Sequence, residues 1–266
     1  MPETETYADR VAVTIADRIA DVRLARPDKM NAIDPAMFTG IGAAIDALAT
    51  RRDVRCVVLS VEGRGFCAGL DMASMAAGGS DLSRIDRNAE GAILPQHVAW
   101  GWRTLPMPVI AAVHGVAFGG GFQIMSGADI RIAAPHTRFA IREVHWGLVP
   151  DMAGFALWRT LVRDDVLREL VYTAREFDAA EASAHGFVTL LADEPHAAAM
   201  ALARTIAGHS PPAIRGAKRL LNRVPDLDSR AILEAETEEQ LDLIGKPDMM
   251  EAVAANLARR PPVFED

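Results

Sequence analysis

Cysteine is scarce: Cys56 and Cys67 are the only two in 266 residues. Two thiols cannot staple a chain of this size. Their scarcity implies a reducing compartment, read here as the cytoplasm. No apolar run approaches the roughly 20 residues needed to cross a bilayer, so no membrane role is expected. The opening MPETETYADR is acidic and polar, without the apolar stretch of a secretory signal. The net charge of −8 argues against a nucleic-acid surface. The seven histidines show no metal-ligand spacing, so no metal is expected. A GxxxxGK(S/T) phosphate loop is missing, and no GxGxxG follows the first strand. Internal repeats and low-complexity tracts are also absent.

What remains is a chain that is 50% apolar and 24% charged, ordinary for a globular protein. Strand-like and helix-like runs alternate up to about residue 194, the pattern of an α/β fold with crossover helices. Residues 1–10 read as loose. Val11–Ile15 and Ile19–Leu24 read as a hairpin, 26–31 as a loop, and Asp34-Pro35 as a helix start running to about Arg51. Cys56–Val61 is a buried-strand run, and His97–Thr104 reads as helix. Residues 72–95 are small and polar, and are expected to be a mobile segment or a variable helix. Ile130–Ala133 and Arg138–Ile141 read as short strands, Phe177–Gly186 as a short helix, and Phe187–Leu191 as a strand. From Glu194 onward the pattern is helical, with breaks at Pro211-Pro212, Pro225 and Pro247. Met249 and Met250 are expected in the core. Residues 1–194 therefore form the expected core and 195–266 a helical C-terminal region.

Two glycine turns follow strands. One is Gly65–Asp71. The other lies in PVIAAVHGVAFGGGFQIMSGA, 108–128, where Val109–Val113 is a strand, Gly119–Gly121 a turn, and Phe122–Ala128 a helix start. Backbone N–H groups at a helix start attract negative charge. Two converging turns suit an oxyanion hole, in which two donors face a carbonyl oxygen as it becomes an enolate. Close packing of a helix on a strand explains either turn equally well when each is taken alone.

The combination is more specific. Phe66-Cys67-Ala68-Gly69-Leu70-Asp71, Pro108–Gly115, Gly119-Gly120-Gly121 and Asp129-Ile130-Arg131 together resemble the crotonase (enoyl-CoA hydratase/isomerase) superfamily. Arg26–Ala32 resembles that family's first coenzyme A loop, and Arg259–Phe264 its usual C-terminus. The resemblance runs over about residues 10–264, in the family's order.

That resemblance implies a crotonase spiral of β-β-α turns followed by helices. It also implies an acyl-CoA thioester as substrate, no permanently bound cofactor, and a homotrimer or dimer of trimers. By position, Leu70 and Gly120 supply the two oxyanion N–H groups. Coenzyme A is expected along 29–32 and 68–71, with Lys29 near its phosphates and Ala32, Ala68 and Asp71 beside it. Residues 72–100 are expected to line the acyl pocket.

The family's hydratases hold a water between two glutamates. Here Gln123 stands at the first position and Glu143 at the second. Gln123 can hydrogen-bond a water or substrate but cannot accept a proton. Asp151 lies eight residues after Glu143, and the pair resembles that of the dienoyl-CoA isomerases. The family's aryl-CoA dehalogenases have Trp at the position of Glu143 and fit less well. Glu143 and Asp151 are thus the expected acid/base pair, and double-bond isomerisation is favoured over hydration. Thioester hydrolysis and a non-catalytic acyl-CoA-binding scaffold are the further alternatives.

Overall fold

The computed structural model describes residues 4–76 and 86–265. Its organising element is a seven-stranded sheet. Val11–Ala16 (β2) and Ile19–Leu24 (β3) form the expected hairpin. The turn has no glycine, yet Asp17 and Arg18 both take positive φ, +50° and +65°. That backbone matches the right-handed twist of paired strands, and Asp tolerates it better than most residues. Residues 4–7 are not loose: Thr4–Tyr7 (β1) pairs antiparallel with β2 as an exposed, polar edge strand.

Beyond β3 the sheet turns parallel. Cys56–Val61 (β4), Val109–Val113 (β5), Ile130–Ala133 (β7) and Leu190–Leu191 (β10) add in that order. All five residues of β5 are buried, as continuous apolar runs covered on both faces should be. One face meets Pro35–Ala49 (α1), whose start is capped by Asp34 accepting the Met37 amide at 2.8 Å. Leu94–Thr104 (α3) packs beside α1. The other face is covered by Pro195–Ala207 (α8), which lays Ala199, Ala203 and Ala207 against Cys56, Val58, Ile110 and Ile132.

A second, three-stranded sheet explains the glycine turns. Val116–Phe118 (β6) runs parallel to Arg138–Ala140 (β8), which pairs antiparallel with Glu176–Asp178 (β9). The chain leaves β5, adds β6 to the small sheet, and only then enters Gly120–Ser126 (α4). A parallel bridge from Cys67 to Ala117 brings the segment after β4 alongside β6 in the same way. This is the expected β-β-α spiral, with a strand between the Val109–Val113 run and the glycines that the sequence reading had merged into one turn. Phe122 of α4 anchors it, with ring centroids 5.1–5.9 Å from Phe139, Trp158, Phe177 and Phe187.

The short helix Met72–Ala76 (α2) follows the first glycine turn, and the centre of the expected variable segment, 77–85, lies outside the described residues. Gly154–Trp158 (α5), Asp164–Thr173 (α6) and Ala179–Ala184 (α7) complete the core. Pro211–Arg223 (α9), Ser229–Leu241 (α10) and Pro247–Leu257 (α11) follow α8. Lys218 of α9 is buried; its ammonium donates to Asp129 at 2.7 Å and to the carbonyls of Met107 and Trp102. Met249 and Met250 are not core. They are 43% and 59% exposed, and Leu233, Leu241 and Leu257 are exposed as well.

Candidate active site

The two glycine turns meet. The Cys67 amide donates to the Val116 carbonyl, and the Phe118 amide returns to the Cys67 carbonyl, both at 2.9 Å. On its other side the 66–71 turn is bonded to the 26–33 segment. Ala68 donates to Met30 at 3.0 Å, Ile33 to Gly69 at 2.8 Å, and Asp71 to Ile33 at 2.9 Å. The turn is thus clamped between two neighbours, which fixes the direction of the Leu70 amide. Gly69 has φ +93°, and a Cβ there would lie 3.0 Å from the Phe118 carbonyl oxygen, so glycine is required. Gly120 is the first residue of α4, where an amide has no intrahelical acceptor.

These elements enclose a cleft of about 260 Å³, lined by 68–70, 118–120 and Glu143 together with Met72, Arg142, Trp146 and Leu148. Leu70, Gly120 and Glu143, named separately from sequence, therefore share one cavity. Its wall is largely apolar, as small-molecule sites commonly are. Trp146 and Leu148 are half exposed at its mouth.

Glu143 opens a 3-10 turn, 143–146, and is 7% exposed. Its Oε1 accepts from Gln123 Nε2 at 2.6 Å, and its Oε2 is buried without a hydrogen-bond partner among the described residues. Burial raises its pKa above the ordinary carboxylate range, and the negative charge of Asp151 adds to the rise. Asp151 stands close enough to act on Glu143 in this way but is more exposed and does not line the cleft; partial burial raises its pKa as well.

Gln123 is differently employed from the expectation. It is fully buried, and its Oε1 accepts the backbone amides of Met152 and Gly154 at 2.9 and 3.0 Å. Both ends of the amide are used within the protein. Gln123 braces Glu143 against the 151–154 segment and is not among the residues that line the cleft.

Of the residues expected along coenzyme A, Ala68 lines the cleft. Lys29 is exposed on the neighbouring 26–33 segment and lies off the cleft lining. Ala32 accepts Arg26 Nη1 at 2.8 Å through its carbonyl. The Asp71 carboxylate is ion-paired to Arg26 at 2.8 Å, which holds its pKa low, and it accepts the amides of Ala73 and Ser74 at the start of α2. The Arg260 guanidinium at the C-terminus is paired with Glu251.

Two supporting residues escaped the sequence reading. Asn31 is fully buried. Its Nδ2 donates to the carbonyls of Glu62 and Gly65 at 3.0 Å, and its Oδ1 accepts the Arg26 amide at 2.8 Å. Arg26 joins Asp34, Asp71 and the Ala32 carbonyl. Both stood in the Arg26–Ala32 motif, but their partners are distant in sequence and no periodicity marks them.

Residues 14–266 match the family model described as enoyl-CoA hydratase/isomerase. A mitochondrial Δ(3,5)-Δ(2,4)-dienoyl-CoA isomerase of Mus musculus is 30% identical, covering 95% of this chain and 80% of its own. A short-chain-enoyl-CoA hydratase of Clostridium acetobutylicum is also 30% identical, covering 91% and 92%. The crystal structure of an enoyl-CoA hydratase from Bacillus anthracis superposes with a TM-score of 0.88 at 25% identity, over 96% of this chain and 98% of that one.

Proposed function

The chain belongs to the enoyl-CoA hydratase/isomerase family, and within that family we propose that it moves the double bonds of a (di)enoyl-CoA. The observation that carries this reading is the pinned amide of Gln123. Among the described residues Glu143 is the only carboxylate lining the cleft, and its neighbour at position 123 is fully buried and committed to protein partners. A hydratase of this family holds its attacking water between two glutamates. Here one carboxylate faces substrate, with the acid Asp151 behind it.

In the proposed reaction the thioester carbonyl accepts the amides of Leu70 and Gly120. Those donors stabilise the enolate, a contribution worth about a hundredfold or more in rate per donor. Glu143 removes an activated proton. The Glu143–Asp151 pair then supplies a proton at another carbon. Burial raises the pKa of both acids above the ordinary carboxylate range, which favours such a shuttle by easing the return of a proton. The substrate is carried as a coenzyme A thioester, with Lys29 and Ala32 on the carrier side. The exposed apolar residues of α10 and α11 support association into trimers, and the two buried free cysteines support a reducing compartment.

Hydration of a 2-enoyl-CoA by Glu143 is the second reading, favoured by the relative from Clostridium acetobutylicum named as a hydratase. The test is to assay the purified protein separately with a 3,5-dienoyl-CoA and a 2-enoyl-CoA. Conversion of the dienoyl ester with slower hydration supports isomerisation. Hydration at enzyme-like rates without isomerisation overturns it. Binding of both esters with turnover of neither points to the scaffold.

A further inference from the structure

One residue of the cleft has no part in the chemistry above. Arg142 precedes Glu143 and lines the same wall. Its guanidinium carbon lies 4.9 Å from the centroid of the Phe118 ring, which also lines the cleft. The guanidinium is paired with Glu176 of β9, and so is that of Arg138, which lies 6.0 Å from the same ring. Two guanidiniums therefore share one carboxylate. Arg138 is 60% exposed and Arg142 30%, so the second of the two is the one turned inward. Arg142 Nε is buried and has no hydrogen-bond partner among the described residues.

We infer that Arg142 selects thioesters whose acyl tail ends in a carboxylate. This rests on reading the cleft as an acyl-thioester site. The argument is one of balance. A methyl-ended tail laid along Phe118, Trp146 and Leu148 strips water from a guanidinium and offers it nothing in return. A carboxylate offers two acceptors in the geometry that a guanidinium fork matches. Glu176 is not orphaned when Arg142 turns to substrate, since Arg138 still holds it. The stack on Phe118 keeps the guanidinium against the wall and limits the side-chain entropy lost on binding.

The anion is placed on the acyl tail and not on the nucleotide by the layout of the walls. The 26–33 segment, expected to carry coenzyme A, is bonded to 66–71 on one side of the cleft. Arg142 is fixed to the small sheet on the other side, next to the carboxylate expected to handle the acyl carbons.

Calorimetry with two saturated, unreactive acyl-CoA thioesters of equal length tests this, one ending in methyl and one in carboxylate. The protein is expected to bind the carboxylate-ended ester at least about tenfold more tightly, the worth of a charge-assisted bond. Arg142→Gln should erase that ratio, while Arg138→Gln, which leaves Glu176 to Arg142 alone, should lower it only in part, since Arg142 stays in the cleft. The preference should persist on pantetheine thioesters, which lack the nucleotide. Equal affinity for the two tails overturns the inference. So does an Arg142→Gln variant that weakens both coenzyme A esters alike and neither pantetheine ester, because Arg142 then reads a nucleotide phosphate. The ratio is read without turnover, so failure of isomerisation leaves this test standing, and loss of the tail preference leaves isomerisation untouched. Binding of neither thioester overturns both.

Discussion

The side-chain amide of Gln123 donates to Glu143 Oε1 across 2.6 Å, and its carbonyl end takes the backbone amides of Met152 and Gly154. Only one orientation of the amide satisfies all three bonds, since backbone N–H groups require its oxygen. The residue that breaks the two-glutamate pattern is therefore what aims the remaining glutamate. Gln123→Ala is expected to lower kcat by roughly tenfold to a hundredfold, with a smaller change in KM, because Glu143 loses its fixed rotamer and not a substrate contact. The same bond lowers the Glu143 pKa. Its removal should move the acid limb of the pH–rate profile upward. An unchanged acid limb would show that Gln123 does not act through Glu143.

Glu143 itself sets function against stability. Its folded pKa is raised, chiefly by burial. A carboxyl raised in the folded state contributes fully below its unfolded pKa, and that contribution is lost as pH rises through the folded pKa. At neutral pH the ionised group is a cost. Glu143→Gln should abolish turnover, by about a thousandfold or more. It should also raise the thermal midpoint at pH 7 by a few degrees, on the order of 1 kcal/mol for a chain of this size. The gain should vanish in acid, below the ordinary carboxylate range. A variant less stable than the parent at pH 7 would sink this account.

The parts of this fold that were legible in the sequence are those whose chemistry is local. Asp34-Pro35 announces a helix because the cap and the fixed φ act within one turn. The glycine turns announce a hole because backbone donors need glycine to be approached. The small sheet was only partly legible, for the opposite reason. Arg138–Ala140 falls in a run that reads as a strand, but Val116–Phe118 and Glu176–Asp178 are three residues each, too short to show a period, and exist through partners far along the chain. Thr4–Tyr7 is polar on both faces and gave no strand signal either. The positions of Glu143, Leu70 and Gly120 were readable from the motifs. The work of Gln123, Arg142 and Asn31 depends on which atoms face them, and residue type alone does not carry that.

Gly120 and Gly121 should separate by what a methyl group would strike. At Gly120 an added Cβ meets the ends of two flexible side chains, Ile33 Cδ1 and Met152 Sδ, each at 2.8 Å. Gly120→Ala should fold, losing about 1–2 kcal/mol, but should lower kcat/KM by about a hundredfold as the hole narrows. At Gly121 the Cβ lies 2.7 Å from the Cys67 carbonyl oxygen and 2.5 Å from its Cβ. That carbonyl accepts the Phe118 amide that joins the two turns. Gly121→Ala should cost about 3 kcal/mol or more in urea unfolding, by forcing those turns apart. Equal stability losses at the two positions would contradict the packing described here.

Asn31 offers the sharpest separation between holding the site and performing the reaction. It takes φ +53°, a left-handed backbone that Asn accepts more readily than Ala, and its fully buried side chain satisfies two carbonyls and one amide. Asn31→Ala loses both advantages, and is expected to cost about 2–4 kcal/mol. Asn31→Asp keeps the acceptor for the Arg26 amide but sets a charge against the Glu62 and Gly65 carbonyls, and should cost at least as much. Because Asn31 ties the 26–33 segment to the 62–65 turn, KM for coenzyme A thioesters should rise in any variant that folds. The acid limb of the pH–rate profile should stay where it is, since nothing around Glu143 has changed. A variant that kept KM and moved the acid limb would place Asn31 with the chemistry, and the partition of the cleft into a carrier wall and a proton-transfer wall would fail with it.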